Sequence, residues 1–281
     1  MKLDGKTALV LGAIKGIGRG IALALAEAGC RLALTYFDWP EALPSLRRDL
    51  AAAGVDHLLV QADLRRAEAA AMVVDRVMAR FGRLDILINN IERGGWPVVH
   101  GPYVSAQWNL EQRTTLDAKH WMFQAALPHL KAAGDAAVVN LSSVAALVGR
   151  SGPASLLFND GYAAANRAIA ILTETWARLG APEVRVNEIM LGLVETRHGP
   201  ATRGWGLLDE AARRALVDQV LLRRVGTIPD VVKAVMFVLR DAPYMTGAVL
   251  RLDGGFVLGG SPVAPMPPGV DVPATDSESP I

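Results

Sequence analysis

A single cysteine, Cys30, in 281 residues excludes an intramolecular disulfide. Lying between the first expected helix and the second expected strand, it reads as a buried small hydrophobe. The histidines at 57, 100, 120, 129 and 198 include no i,i+4 pair and have no cysteine partner, so they offer no zinc-site spacing. Charge of one sign is also lacking. The 29 Lys and Arg against 28 Asp and Glu leave a net charge of +1, which gives no argument for nucleic acid or an acidic surface as partner. No apolar run reaches the roughly 18 residues of a membrane span, and no signal-peptide pattern precedes the first strand. The expectation is a soluble, cytoplasmic protein that acts on a small molecule, with no membrane and no nucleic acid as partner. No internal repeat is visible.

What is present is apolar bulk, 51% of the residues, at a length suited to one large domain. Short apolar runs alternate with helical patterns. Lys6 to Gly12, Arg31 to Tyr36, Asp56 to Gln61, Leu84 to Ile88, Ala136 to Leu141, Glu183 to Glu188 and Ala248 to Leu252 read as strands. Helical patterns cover Arg19 to Ala28 and about 41–53, 67–81, 105–131, 160–179, 208–219 and 229–239. Each parallel connection needs a crossover, so this alternation predicts an α/β fold: a doubly wound parallel sheet of Rossmann type in three αβα layers. Residues 1–260 form the expected single domain. Residues 261–281, rich in proline, serine and acid, are expected to be a disordered or loosely docked tail.

The first strand runs directly into Gly12-Ala13-Ile14-Lys15-Gly16-Ile17-Gly18 and a helix. Glycine allows a sharp turn there and lets the backbone approach a pyrophosphate resting on the helix N-terminus. Further on come Asp63-Leu64 after the third strand, Asn89-Asn90 after the fourth, and Asn140-Leu141-Ser142-Ser143 on the fifth. Gly192-Leu193-Val194-Glu195-Thr196 follows the sixth, and Thr246-Gly247 and Asp253-Gly254-Gly255 close the pattern. Together, from about Leu3 to Leu258, these motifs resemble the short-chain dehydrogenase/reductase family.

That resemblance implies a nicotinamide dinucleotide held by Gly12, Lys15, Gly16, Ile17 and Gly18, by Tyr36 and Phe37 at the end of the second strand, by Asp63 and Leu64 around the adenine, and by Asn90 and Thr196. It implies a catalytic serine at Ser143 and tyrosine at Tyr162. The family's lysine position falls on Asn166 and its helix asparagine on Thr115, so the catalytic set is Ser143, Tyr162, Asn166 and Thr115. The resemblance also implies a homo-oligomer, a homotetramer or homodimer, built on the middle helix and the Tyr162 helix. Tyr36 and Phe37 do not discriminate between cofactors. Lys15 leans toward NADP(H) over NAD(H), whereas Asp38 turned inward would favour NAD(H).

The missing lysine matters chemically. A tyrosine with a pKa near 10 is about one part in a thousand ionised at pH 7, and a nearby cation lowers such a pKa by roughly 1–3 units. Asn166 carries no charge. Arg167 is five residues from Tyr162 and so is turned about 140° away around the helix. Lys119, one turn beyond Thr115, is a candidate relocated cation, although an interface or surface lysine is the favoured reading. Glu92 stands where the family has glycine; it is a candidate acid/base, with a solvent-facing rim residue favoured.

The Ser143–Tyr162 separation exceeds the family's usual spacing, and the extra residues, Arg150 to Gly161, either border the substrate cavity or displace Tyr162. His120 and Trp121 read as packing or subunit-contact residues. The segment 195–206 has the length and glycines of a lid, in which Arg197 and Arg203 are candidate anion ligands. Trp96, Tyr103, Met190 and Trp205 suggest an apolar mouth. The expectation is an NAD(P)(H)-dependent oxidoreductase interconverting a carbonyl and an alcohol on a partly hydrophobic substrate with a non-standard catalytic set. The alternative is a dinucleotide-binding protein of the same fold with a non-redox, sensor or scaffold role.

Overall fold

The computed structural model describes residues 1–92, 105–196 and 208–261, together with 263, 265 and 269. The expectations for Trp96, Tyr103, Arg197, Arg203, Trp205, most of the lid and most of the tail lie outside these residues. Among the described residues seven strands form one sheet: β1 (Thr7–Val10), β2 (Arg31–Tyr36), β3 (His57–Gln61), β4 (Ile86–Asn89), β5 (Ala136–Ser143), β6 (Val184–Leu191) and β7 (Val249–Leu252). All neighbours run parallel in the order β3-β2-β1-β4-β5-β6-β7.

Strand alternation divides the core. In β1, Ala8 and Val10 join a cluster with Leu25, Leu46 and Val231, while Leu9 joins one with Val73, Phe123 and Trp176. The first face is covered by α1 (Gly16–Glu27), α2 (Leu43–Ala52) and α9 (Ile228–Met236), the second by α3 (Ala67–Phe81), α5 (Ala118–Ala133) and α7 (Asp160–Gly180). This is the doubly wound, three-layer arrangement expected. Strand order reverses between β1 and β4, the point beyond which such sheets bind ligands.

Several boundaries depart from the sequence pattern. β5 and β6 continue to Ser143 and Leu191, past the expected ends at Leu141 and Glu188, because Ser142 pairs with Met190 and Ser143 with Leu191. The polar side chains in these buried strands are held by one another. Asn89 Nδ2 donates to Asn140 Oδ1 at 2.7 Å, Asn140 Nδ2 to Thr173 Oγ1 at 2.8 Å, and Ser142 Oγ to Glu188 Oε1. The middle helix is not uniform. α4 (Ser105–Glu111) passes through a π-helical segment, Gln112–Asp117, before α5 begins. Such wide turns often mark functional sites, and this one holds Thr115. Short helices α6 (Ala145–Val148) and α8 (Glu210–Gln219) complete the described set.

Cys30 is 1% exposed and its Sγ faces the Leu3 carbonyl at 3.2 Å, as a buried hydrophobe would. His120 stacks on Trp176 with ring centroids 6.3 Å apart, and Trp121 packs partly buried on the α5 side of the sheet. Both are packing residues in this chain. Of the apolar residues that would suit a subunit contact on the middle helix, Met122, Phe123 and Ala126 are buried within the monomer, whereas Trp121, Ala125 and Leu127 are only partly buried.

Candidate active site

The glycine loop is shaped by its own neighbours. Gly12 and Gly16 take left-handed φ angles of +63° and +61°. A Cβ on Gly12 would lie 2.6 Å from the Asn90 carbonyl oxygen, and one on Gly18 would run into the Gly12 carbonyl. Asn90 Nδ2 holds the loop by donating to the Leu11 and Gly12 carbonyls at 3.2 and 3.3 Å, and Thr35 Oγ1 accepts from Gly12 N at 3.1 Å. Gly16 differs. Among the described residues, a Cβ there would meet nothing nearer than Thr196 Cγ2 at 3.8 Å. α1 begins without a side-chain cap and without an acidic residue in its first turn. An anion would be received by its N–H groups and dipole. Ile17 sits half-buried in that turn, and Leu64 is buried in the core beside Asp63.

At the end of β2, Tyr36 is half-buried and Phe37 is 42% exposed. Two cations cover the aromatic rim there: Lys15 Nζ lies over the Trp39 ring, and the Arg65 guanidinium lies 5.0 Å from the Phe37 ring centre. Arg65 also holds Asp63 through two 2.7 Å hydrogen bonds, which keep that carboxyl below its usual range. Asp38 acts electrostatically on the same guanidinium.

Of the four residues expected to be catalytic, the Ser143 and Tyr162 side chains come together near the end of β5. Tyr162, 3% exposed, enters α7 behind the Asn159 cap, whose Oδ1 accepts from Tyr162 N at 2.7 Å. Asn159 Nδ2 donates to Glu111 Oε1 at 3.1 Å, and Gln112 Nε2 to the Gly161 carbonyl at 3.1 Å. The inserted residues thus end in an anchored turn and leave Tyr162 in the core. Its hydroxyl donates to Glu92 Oε2 at 2.7 Å. Burial pushes the Tyr162 pKa well up, the Glu92 charge pushes it further, and hydrogen bonding with Ser143 pulls the other way.

Lys119 is not a surface residue. It is fully buried, and its Nζ donates to the Leu141 carbonyl at 2.5 Å and approaches Glu92 Oε1 at 3.5 Å. Burial draws its pKa down, against the opposing pull of Glu92 and Glu188. Glu92 is correspondingly not a rim residue facing only solvent: each carboxylate oxygen has a partner, and the side chain is 22% exposed. Asn166 is fully buried; its Nδ2 donates to the Tyr162 carbonyl at 3.0 Å, while its Oδ1 has no partner among the described residues. Thr115 Oγ1 is likewise buried without a partner among them. Burial pushes Glu188 up, opposed by Ser142 and Lys119.

A sequence profile described as Enoyl-(Acyl carrier protein) reductase matches residues 12–257. The chain belongs to the short-chain dehydrogenase/reductase family. It is similar to a 3-oxoacyl-(acyl-carrier-protein) reductase of Staphylococcus aureus, 31% identical over 257 residues, covering 90% of this chain and 98% of that protein. It is also 33% identical over 263 residues to a 1,6-dihydroxycyclohexa-2,4-diene-1-carboxylate dehydrogenase of Pseudomonas putida, covering 90% of this chain and 93% of that one. Among solved structures, a double mutant of a Serratia marcescens short-chain dehydrogenase/reductase superposes with a TM-score of 0.79 at 27% identity, covering 92% of this chain and all of that one. An NADPH-dependent 3-quinuclidinone reductase from Rhodotorula rubra gives a TM-score of 0.80 at 26% identity, covering 92% and 93%. The short-chain dehydrogenase/reductase assignment makes this chain an oxidoreductase acting between carbonyl and alcohol with a nicotinamide dinucleotide. The glycine loop and the uncapped start of α1 fit that cofactor, whereas Asn166 is uncharged.

Proposed function

We propose that the protein is an NADPH-linked reductase of a ketone or aldehyde bearing apolar bulk, with Ser143 and Tyr162 as the groups that meet the substrate oxygen. The observation that carries this reading is the Tyr162 hydroxyl, buried and within hydrogen-bonding reach of Ser143. Two hydroxyls so paired can meet one carbonyl oxygen, with the phenol as its proton donor. Ser143 would hold the same oxygen. The bound dinucleotide supplies the hydride.

Apolar bulk is supported by the side chains packed around Tyr162, among them Phe158, Met190, Leu193 and Phe256. The NADPH preference is supported by Lys15 and Arg65 at the end of β2, which suit a 2′-phosphate, and by the NADPH-dependent relative. Assembly as a homo-oligomer is supported by Ile171 and Leu179 on α7, which are 62% and 52% exposed.

Titration with NADPH and NADH, followed by nicotinamide fluorescence and thermal shift, tests the cofactor. Turnover over a panel of cyclic and long-chain ketones tests the reaction, with Tyr162→Phe and Ser143→Ala each expected to abolish most of it. A protein that binds neither dinucleotide at millimolar concentration would defeat the reading.

A further inference from the structure

The groups that meet the Tyr162 hydroxyl come from elements other than its own helix. Glu92, two residues beyond Asn90, accepts the hydroxyl hydrogen on Oε2 at 2.7 Å and faces Lys119 Nζ with Oε1 at 3.5 Å. Lys119 is anchored by the Leu141 carbonyl on β5. A carboxylate serving only to neutralise a buried ammonium would not need to share itself with the reacting phenol. A lysine serving only as packing would be better replaced by an apolar side chain, since burying its charge costs several kcal/mol. The side chain of Glu92 also keeps 22% of its surface in solvent, whereas Tyr162 keeps 3%. The Glu92 hydrogen bond therefore joins the enclosed hydroxyl to a side chain that is partly in solvent.

We infer that Glu92 is the proton partner of Tyr162, a further catalytic residue, and that Lys119 is the residue that positions it. This rests on the oxidoreductase reading above. In alcohol oxidation the substrate O–H bond breaks and its proton goes to Tyr162 Oη, while the proton already on Oη passes to Glu92 Oε2. The carbinol C–H bond breaks with its electron pair leaving as hydride to the oxidised dinucleotide. Glu92 then releases its proton to water at its exposed edge. Reduction runs the same transfers backward, with protonated Glu92 refilling Tyr162. One proton and one hydride move in each direction. Among the described residues, the other charged groups facing this centre are Glu111 from α4, Glu188 from β6 and, acting on Glu188, Arg167 from α7.

The test labels tyrosine Cζ with carbon-13 and follows the Tyr162 signal, assigned by its loss in Tyr162→Phe, through an alkaline pH titration of the full chain. This needs neither cofactor nor substrate. Glu92→Gln is expected to let Tyr162 ionise at lower pH, to leave NADPH affinity unchanged and to reduce kcat in both directions by at least about a hundredfold. Glu92→Asp should recover part of that loss. Lys119→Met should lower kcat while leaving KM for the carbonyl substrate in place. A Tyr162 signal that titrates alike in wild type and Glu92→Gln overturns the inference. So does a shifted signal with turnover intact, which leaves the oxidoreductase reading standing. A wild type that binds NADPH but turns over no carbonyl or alcohol defeats both.

Discussion

Replacing Lys119 separates what its charge does from what its volume does. At 3.5 Å from Glu92 and an effective dielectric near 20, the attraction is about 5 kcal/mol. The charged hydrogen bond to Leu141 adds about 1.5–3 kcal/mol. Against these stands the several kcal/mol needed to take an ammonium out of water. Lys119→Met keeps the side-chain volume and removes all three, and Glu92, with its exposed edge, can be rehydrated. Because burial outweighs these attractions and draws the Lys119 pKa down, Lys119→Met is expected to fall no more than about 1 kcal/mol below wild type, a Tm fall of no more than roughly 4 °C for a chain of this size, or to exceed it.

Lys119→Ala adds a buried cavity and should cost about 2–5 kcal/mol more. The pH dependence carries a sign. Burial lowers the folded-state pKa of Lys119 below its unfolded value near 10.4. Below both values the protein carries the whole burial penalty. Between them the unfolded chain binds a proton that the folded one does not, so wild-type stability rises with pH relative to Lys119→Met. Each pKa unit corresponds to about 1.4 kcal/mol. Urea denaturation of the three proteins at neutral and alkaline pH measures this. If Lys119→Met is as unstable as Lys119→Ala, or if the gap between wild type and Lys119→Met does not change with pH, the reasoning fails.

Gly18→Ala places a methyl group against the Gly12 carbonyl and 2.5 Å from Asn90 Nδ2, and should cost about 1–3 kcal/mol while weakening NADPH binding at least tenfold. Unchanged melting and unchanged fluorescence titration would show that the loop has room it does not display. The Cys30 thiol, pushed up to about 12 by burial and then by Asp85 and Asp4, should not react with an aromatic disulfide reagent until the chain unfolds. Stoichiometric labelling of the native protein would contradict its burial.

The sheet was legible because each buried parallel strand is a short apolar run, and β2 begins and ends where its pattern does. The C-terminal ends of β5 and β6 were not, because Ser142 and Glu188 look like turn residues until they are paired across neighbouring strands. Tyr162 and Ser143 could be located from their motifs. Lys119 was misread by residue type, although its position carried a signal: Lys119, Met122, Phe123, Ala126 and Leu130 form one buried stripe at helical spacing. Glu92 was marked only by standing where the family has glycine. Its contact with Tyr162 joins residues 70 apart and depends on the segment after β4 meeting the start of α7, which only the folded chain displays. Arg65 escaped notice for a similar reason, since it reaches the end of β2 from the segment that follows β3.

The Asn159 turn bears on how this chain can diversify. Because that one side chain ties both the start of α7 and Glu111 in place, the residues between Val148 and Phe158 can lengthen, shorten or change without carrying Tyr162 with them. Foreign residues placed between positions 149 and 156 should therefore leave the Asn159 cap and Tyr162 where they are, and a change in substrate range would show that this stretch borders the substrate.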